Sequence, residues 1–205
     1  MKKAESRIMN QNSPSPTMYV FAGNNGSGKS TIRNLLIDKL GIEINIDADS
    51  IARRLNPNYP ESKQFAAGKE AVKMVYECIN ESKSFSIETT LGGKNAIRQM
   101  KQAKVMGFNI TMFYIGLHHV NQNITRVALR VKNGGHDIPT KDILKRNETS
   151  MRNLLNNLDL INNLIVVDNS KSGGEYVLQT SDGRVTFKSY NMPEWALPIL
   201  ENHPI

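Results

Sequence analysis

The stretch MYVFAGNNGSGKST, residues 18–31, decides the fold of this 205-residue chain. It starts with an apolar run that ends in glycine, a pattern that predicts a short buried β-strand. The segment STIRNLLIDKLG, residues 30–41, has an apolar face at helical spacing and stops at Gly41. Between the predicted strand and helix lies GNNGSGKS, which matches the pattern G-x-x-x-x-G-K-[ST] of a phosphate-binding loop, or P-loop.

This loop has the chemistry that a triphosphate needs. Glycines let the backbone N–H groups curl around an anion, and the N-terminus of the following helix adds positive potential. Lys29 would reach the β- and γ-phosphates, and the Ser30 hydroxyl would bind magnesium. A fortuitous glycine-rich turn is the alternative, which the flanking strand and helix disfavour. We predict ATP and Mg²⁺ as ligands, with the nucleotide contacted by Gly23, Asn24, Asn25, Gly26, Ser27, Gly28, Lys29, Ser30 and Thr31.

The rest of the chain alternates between strand and helix patterns. Further strands are predicted at residues 42–47, 84–88, 108–117 and 164–168, with helical segments between them. This alternation predicts a P-loop NTPase- or kinase-like α/β three-layer sandwich with a mostly parallel five-stranded sheet.

The domain organisation follows from composition and turn signals. Residues 1–17 are polar and are interpreted as an N-terminal tail, and residues 18–205 as a single P-loop kinase domain. Residues of about 120–150 are interpreted as a helical lid. The segment of about 175–191 predicts a C-terminal β-hairpin that turns at Asp182 and Gly183.

Two carboxylates end the second predicted strand, in INIDAD, residues 44–49. Ligands bind at the carboxyl ends of strands in open α/β sheets. A kinase needs a carboxylate beside the acceptor hydroxyl, to orient it and accept its proton. Asp49 is the candidate for that role, whereas strand alternation points Asp47 the other way. The alternative is that Asp49 only caps the helix SIARRL.

Another carboxylate, Glu88, ends the next strand within SIETTLGG, residues 86–93. With Thr89 and Thr90 it is a candidate for holding the acceptor's hydroxyls or the magnesium shell. A polar cap in a surface loop is the alternative.

The stretch TRVALRVKNGGHDIP, residues 125–139, predicts a cationic lid. Arg126 and Arg130 lie four apart on one helical face, and Arg146 follows. Lid arginines neutralise charge on a transferring phosphate and exclude water; a solvated basic helix is the alternative. His136 would contact the substrate or hold the bend. The predicted catalytic residues are Asp49, Lys29, Arg126 and Arg130, with Arg146 on the nucleotide and Glu88, Thr89, Thr90 and His136 on the acceptor.

Composition narrows the partners. The net charge of +7 favours an anionic partner without choosing among nucleotides, phosphosugars, nucleic acid and lipid surfaces. The basic helix lacks interleaved aromatic residues, which disfavours nucleic acid. The single cysteine, Cys78, excludes an internal disulfide. No apolar run approaches the ~20 residues of a membrane span, and no signal peptide is recognisable, so we expect a cytoplasmic protein with no membrane partner.

Several of these segments together resemble the zeta-toxin-like P-loop kinases, over about residues 18–168. They are GNNGSGKST, INIDADSIARRLNP, FSIETTLGG, RVKNGGHDIP and ILKRNETSMRNL. The resemblance implies that Lys29 and Ser30 hold ATP and magnesium, that Asp49 is the catalytic aspartate and that Glu88 is a substrate-site glutamate. It also implies that Arg126 is the first of two phosphate-stabilising arginines.

The resemblance further implies a substrate and a partner. Zeta toxins phosphorylate a hydroxyl of UDP-N-acetylglucosamine, and an antitoxin masks their ATP site. This sequence departs from the family pattern in places: the second arginine falls near His136, with Arg130 and Arg146 as the nearest cations, and Thr89 replaces a glycine. The resemblance implies a small-molecule acceptor such as a UDP-sugar, and these departures concern the acceptor rather than the phosphate donor.

Three functions stay open from the sequence. The first is an ATP-dependent small-molecule kinase of the zeta-toxin type, with nucleoside and nucleotide kinases as its nearest enzymatic competitors. The second is a nucleotide-binding switch or slow ATPase without a metabolite acceptor. The third is a nucleic-acid-linked P-loop protein.

Overall fold

The computed structural model of the chain describes residues 15–171 and 173–203, so most of the predicted tail, 1–17, lies outside the described residues. The described residues form seven β-strands and seven α-helices. The strands are β1 Thr17–Ala22, β2 Ile44–Ile46, β3 Phe85–Thr89, β4 Asn109–Gly116, β5 Asn163–Asp168, β6 Glu175–Ser181 and β7 Arg184–Lys188. The helices are α1 Lys29–Leu36, α2 Ala48–Leu55, α3 Gln64–Asn80, α4 Asn95–Val105, α5 Val120–Lys132, α6 Thr140–Leu155 and α7 Leu197–Glu201.

The strands form one sheet in the order β2-β3-β1-β4-β5-β6-β7. The first five are parallel, and β6 and β7 continue the sheet in antiparallel orientation. The predicted α/β P-loop kinase-like class is confirmed. The predicted count of five strands covers only the parallel part, because the C-terminal hairpin pairs with β5 and extends the sheet to seven strands. Its turn lies at Asp182 and Gly183, where φ is 45° and 77°, as predicted.

The two faces of the sheet carry cores of unequal size. The larger core packs one face of the central strands against α3, α4, α6 and the C-terminal segment, and β1 contributes Met18, Val20 and Ala22 to it. The smaller core on the other face lies under α1, where the rings of Phe21 and Phe113 stack with centroids 5.0 Å apart. Because neighbouring strand residues point to opposite faces, β1 is buried on both sides. The P-loop that follows it therefore starts from a fixed position.

The segment predicted as a lid forms α5, a link at residues 133–139, and α6. Helix α6 is part of the body: Ile143 and Leu154 are buried, and the Ser150 hydroxyl lies 3.0 Å from the hydroxyl of Tyr114 on β4. The exposed link and the outer face of α5 are thus the parts of this segment that stand clear of the core. Across residues 15–171 and 173–203, we find no helix with the length and apolar character required to cross a bilayer.

Candidate active site

The P-loop, residues 23–28, depends on glycine at positions where neighbouring atoms leave no room. At Gly23, where φ is 139°, a Cβ would lie 2.1 Å from the carbonyl oxygen of Ile115. At Gly28, where φ is 92°, a Cβ would lie 2.2 Å from the side-chain nitrogen of Asn169. Both positions combine left-handed backbone with close contact, so the loop conformation requires these glycines.

Three side-chain amides hold the P-loop in place against α6, α5 and the loop after β5. One amide belongs to the P-loop itself, and the other two belong to α5 and to the loop after β5. The contacts are Asn24 Nδ2 to Ile143 O (3.1 Å), Asn123 Nδ2 to Asn25 O (2.7 Å) and Asn169 Nδ2 to Ser27 O (2.8 Å). The backbone N–H groups of such a tethered loop are preorganised for an anion.

Lys29 begins α1 and is only 7% exposed. Its ammonium group donates to the carbonyl oxygen of Asn24 at 2.9 Å. Burial lowers the pKa of Lys29; the nearby charge of Glu88 acts against this effect, and that of Arg130 adds to it. A phosphate bound beside this buried ammonium group would neutralise its positive charge and that of the nearby arginine.

A carboxylate cluster lies beside the P-loop lysine. The Ser30 hydroxyl donates to Glu88 Oε1 at 3.0 Å. Arg33 Nη1 lies 3.3 Å from Glu88 Oε2 and 3.3 Å from Asp47 Oδ2. These contacts join α1, β3 and the end of β2 at one corner of the sheet.

The two aspartates of INIDAD have different positions. Asp47 is the N-cap of α2, since its Oδ1 accepts from the backbone N–H of Asp49 at 3.0 Å and its Oδ2 from the Ser50 hydroxyl at 2.8 Å. Asp49 lies in the first turn of that helix with its side chain exposed, and its Oδ1 accepts a 3.4 Å hydrogen bond from Gln64. The cap predicted as an alternative for Asp49 is therefore made by Asp47, which leaves the Asp49 carboxylate free of that role.

These motifs meet in one cleft of about 400 Å³. The sequence motifs that line it come from the P-loop, the end of β2, the end of β3 and the lid. Its lining residues are Asn25, Gly26, Gly28, Lys29, Ser30, Thr31, Asp47, Ala48, Asp49, Glu88, Thr89, Thr90 and Arg130.

The three predicted lid arginines lie in different places. Arg130 lines the cleft, and its guanidinium donates to the His136 carbonyl oxygen at 2.9 Å. Arg146 on α6 donates to the side-chain oxygen of Asn25 at 2.9 Å. Arg126 is not among the residues that line the cleft.

The Arg126 guanidinium instead donates to the carbonyl oxygens of Asn169 and Ser170, at 2.9 and 3.3 Å, in the loop after β5. Its shared helical face with Arg130 and the family resemblance predict a catalytic role for Arg126, which the cleft lining alone does not give it. His136 was predicted to contact the substrate or to hold the bend. Its Nδ1 lies 3.2 Å from Glu61 Oε1, a contact that connects the link between α5 and α6 to the turn before α3.

Sequence reasoning missed two kinds of residue. Asn123 and Asn169 hold the P-loop from elements distant in sequence, and no local signal marks them. Arg33 had a signal: it lies four residues after Lys29 and so on the same face of α1. An arginine that is buried on the same helical face as a P-loop lysine needs a carboxylate partner.

The chemistry of this corner fits a magnesium ion. Ser30 and Glu88 supply a hydroxyl and a carboxylate, the oxygen ligands that Mg²⁺ prefers. Within the described ranges, no group of three or more His, Cys, Asp or Glu side chains could hold a metal alone. The ion would therefore come with the phosphates of a nucleotide, as is usual for Mg²⁺.

The strand order, P-loop and cleft define the class of this protein: an α/β P-loop protein of the kinase type. A sequence profile of the zeta toxin family matches residues 2–173. The chain belongs to the zeta toxin family.

Individual proteins are also similar to this chain. An uncharacterized protein from Haemophilus influenzae is 41% identical over 125 residues, which are 61% of this chain and 87% of the relative. A structure from the PezAT chromosomal toxin–antitoxin system of Streptococcus pneumoniae has a TM-score of 0.64 at 18% identity, over 82% of this chain and 72% of that chain. The AvrRxo1-ORF1:ORF2 structure with ATP has a TM-score of 0.65 at 14% identity, over 91% of this chain and 63% of that chain. Both structural likenesses are likenesses of fold.

Proposed function

We propose that the protein is an ATP-dependent phosphotransferase that moves the γ-phosphate of ATP to a hydroxyl of a small molecule, with a UDP-sugar such as UDP-N-acetylglucosamine as the acceptor. The observation that carries this proposal is that Lys29 and Asp49 line the same cleft. One supplies the cation for a phosphate chain, and the other an exposed carboxylate for an acceptor hydroxyl.

On the donor side, the P-loop N–H groups and the Lys29 ammonium hold the β- and γ-phosphates. Ser30 and Glu88 orient the magnesium end of the nucleotide. When bound, Mg²⁺ supplies positive charge to the phosphate oxygens. Arg130 and Arg146 are the cations best positioned for the transferring phosphate, because one lines the cleft and the other contacts the P-loop residue Asn25.

On the acceptor side, Asp49 accepts the hydroxyl proton as the oxygen attacks the γ-phosphorus, and the bond from that phosphorus to the bridging oxygen breaks to release ADP. A second hollow of about 190 Å³ shares Ala48, Glu88 and Thr89 with the cleft. Glu88 is the one charged residue among those that line this hollow, beside the polar side chains of Asn95 and Gln99. A neutral, hydroxylated ring suits this lining better than a phosphate, which supports a sugar-bearing acceptor.

The test is phosphate transfer from labelled ATP to a panel of UDP-sugars, nucleosides and nucleotides. We expect a phosphorylated UDP-sugar with the wild-type protein, and no product with Asp49→Asn although that variant still binds ATP. Asp38→Asn, an exposed aspartate after α1, is the matched control and should keep wild-type transfer. Steady ATP hydrolysis with no product on any acceptor would refute the proposal in favour of a nucleotide switch.

A protein partner is part of the proposal. The PezAT structure comes from a toxin–antitoxin system, and the AvrRxo1 structure is an ORF1:ORF2 complex. These relationships support an antitoxin-like protein that covers the ATP cleft of this chain. Competition between such a partner and ATP, measured as the ATP affinity with and without it, is the test; an affinity that the partner leaves unchanged would argue against it.

A further inference from the structure

Arg33 is a buried cation that the proposed reaction does not use directly. It lies on α1 and is 8% exposed. Arginine is almost never fully buried without partners, and its Nη1 lies 3.3 Å from both Asp47 Oδ2 and Glu88 Oε2. Arg33 is not among the residues that line the cleft. It therefore acts on the site through the two carboxylates and not by lining the cleft itself.

The topology explains why a cation is needed there. Strands β2 and β3 are parallel neighbours, so their carboxyl ends bring Asp47 and Glu88 to the same edge of the sheet. Two carboxylates at one partly buried corner repel each other. The Arg33 guanidinium, 3.3 Å from an oxygen of each, offsets that repulsion and holds both side chains in place.

Each of the two carboxylates also accepts a hydrogen bond from a residue that lines the cleft. Glu88 Oε1 accepts from the Ser30 hydroxyl, which belongs to the magnesium corner. Asp47 Oδ1 accepts from the backbone N–H of Asp49 and so fixes the first turn of α2. The Arg33 guanidinium therefore contacts both the carboxylate of the proposed magnesium site and the carboxylate that positions Asp49.

We propose that Arg33 is a positioning residue, which holds the Asp47 and Glu88 carboxylates in place so that the Ser30 hydroxyl and the Asp49 carboxylate face the cleft in their working orientation. This inference rests on the proposed phosphotransferase function. The physical reason is charge balance. One buried cation offsets two carboxylates, so activity that is lost with the cation should return when one negative charge is removed as well.

The experiment compares Arg33→Met, Arg33→Lys and the double variant Arg33→Met with Asp47→Asn. Lys39→Met is the matched control, since it removes one positive charge from the exposed turn after the same helix. We expect Arg33→Met to lower kcat by at least about tenfold, as small misplacements of catalytic groups do, while the KM for ATP changes little. Arg33→Lys keeps the charge and should retain most of the activity. The double variant should regain much of what Arg33→Met lost.

A second readout is independent of any acceptor. The Mg²⁺ concentration that half-saturates ATP binding should rise in Arg33→Met and return in the double variant, so the inference stays testable even if no acceptor is found. Wild-type kcat in Arg33→Met would overturn the inference. So would a double variant as impaired as Arg33→Met, because packing loss alone is not repaired by Asp47→Asn. If Arg33→Met does not fold, recovery of folding in the double variant supports charge balance, and failure to recover overturns it.

Discussion

The ammonium group of Lys29 donates to the carbonyl oxygen of Asn24 at 2.9 Å, so the P-loop closes on its own lysine. The side chain is 7% exposed, and burial lowers its pKa. A lowered lysine pKa means that the folded protein holds this proton less well than the unfolded chain does. At neutral pH the buried charge therefore costs stability, and stability rises with pH between the folded and unfolded pKa values.

Lys29→Met should therefore separate stability from nucleotide binding. We expect the variant without nucleotide to melt at or above the wild-type temperature, because the burial cost of the ammonium is removed. The same variant should lose the rise in melting temperature that ATP gives the wild type, since the cation that neutralises the phosphates is gone. Thermal unfolding with and without Mg·ATP measures both effects. Lys39→Met is the control, and a Lys29→Met protein that melts well below the wild type would contradict the cost assigned to burial.

The lid arginines should differ in which kinetic constant they control. Arg130→Ala removes a cation from the cleft wall, and we expect kcat to fall by about 100-fold with a small change in KM for ATP. Arg126→Ala removes the bridge to Asn169 and Ser170, so KM for ATP should rise while kcat changes less. Steady-state kinetics over a range of ATP concentrations distinguishes the two. The reverse ranking would return Arg126 to the role that the family resemblance implies.

The sequence places Arg126 and Arg130 on one face of a helix, but helical periodicity gives the direction of a side chain and not its position along the helix axis. Residues four apart on a helix share a face but are about 6 Å apart along its axis. That distance takes one guanidinium to the loop after β5 and leaves the other at the cleft.

Local patterns predicted the P-loop, the parallel strands and the helices that follow them, because each depends on residues close in sequence. The partners of Arg33 were not predicted, since they come from β2 and β3. Likewise, the pattern of EYVLQT-SDG-RVTFKSY indicated a hairpin and its turn, but not that β6 pairs with β5. These two strands are close in sequence, but whether the hairpin adds to β5 depends on β5 being an open edge of the sheet. That edge is set by the order of the other strands, which local patterns do not encode.

The contribution of Asp47 to the stability of the fold should depend on pH. Burial opposes its ionisation, but the Ser50 hydroxyl, the Arg33 charge and the backbone N–H groups of α2 outweigh burial, so the pKa of Asp47 is lowered. A lowered aspartate pKa stabilises the fold above the unfolded value of about 3.9, and this contribution is lost as pH falls through the folded pKa. Asp47→Asn should therefore be less stable than the wild type at neutral pH, by an amount that shrinks as pH falls below about 4.

Urea unfolding at neutral pH, near the unfolded aspartate pKa and well below it measures this difference. Asp38→Asn is the control, because Asp38 is exposed on the turn after α1. A stability difference that stays constant into strong acid would show that Asp47 acts through shape and not through its charge.

Two glycines of positive φ should differ in how they tolerate alanine. At Gly23 a Cβ would lie 2.1 Å from the Ile115 carbonyl oxygen, which belongs to β4 and has little freedom to move, whereas Gly134, at φ 82°, has nothing within 4 Å of its Cβ position. Gly134→Ala should therefore cost only the left-handed strain of about 1–2 kcal/mol. Gly23→Ala adds a backbone clash and should cost clearly more, in the range of about 3 kcal/mol or above. Chemical denaturation of the two variants measures the difference, and ATP binding should be lost in Gly23→Ala alone. Equal destabilisation of both variants would mean that the contact between the P-loop and β4 does not fix the loop.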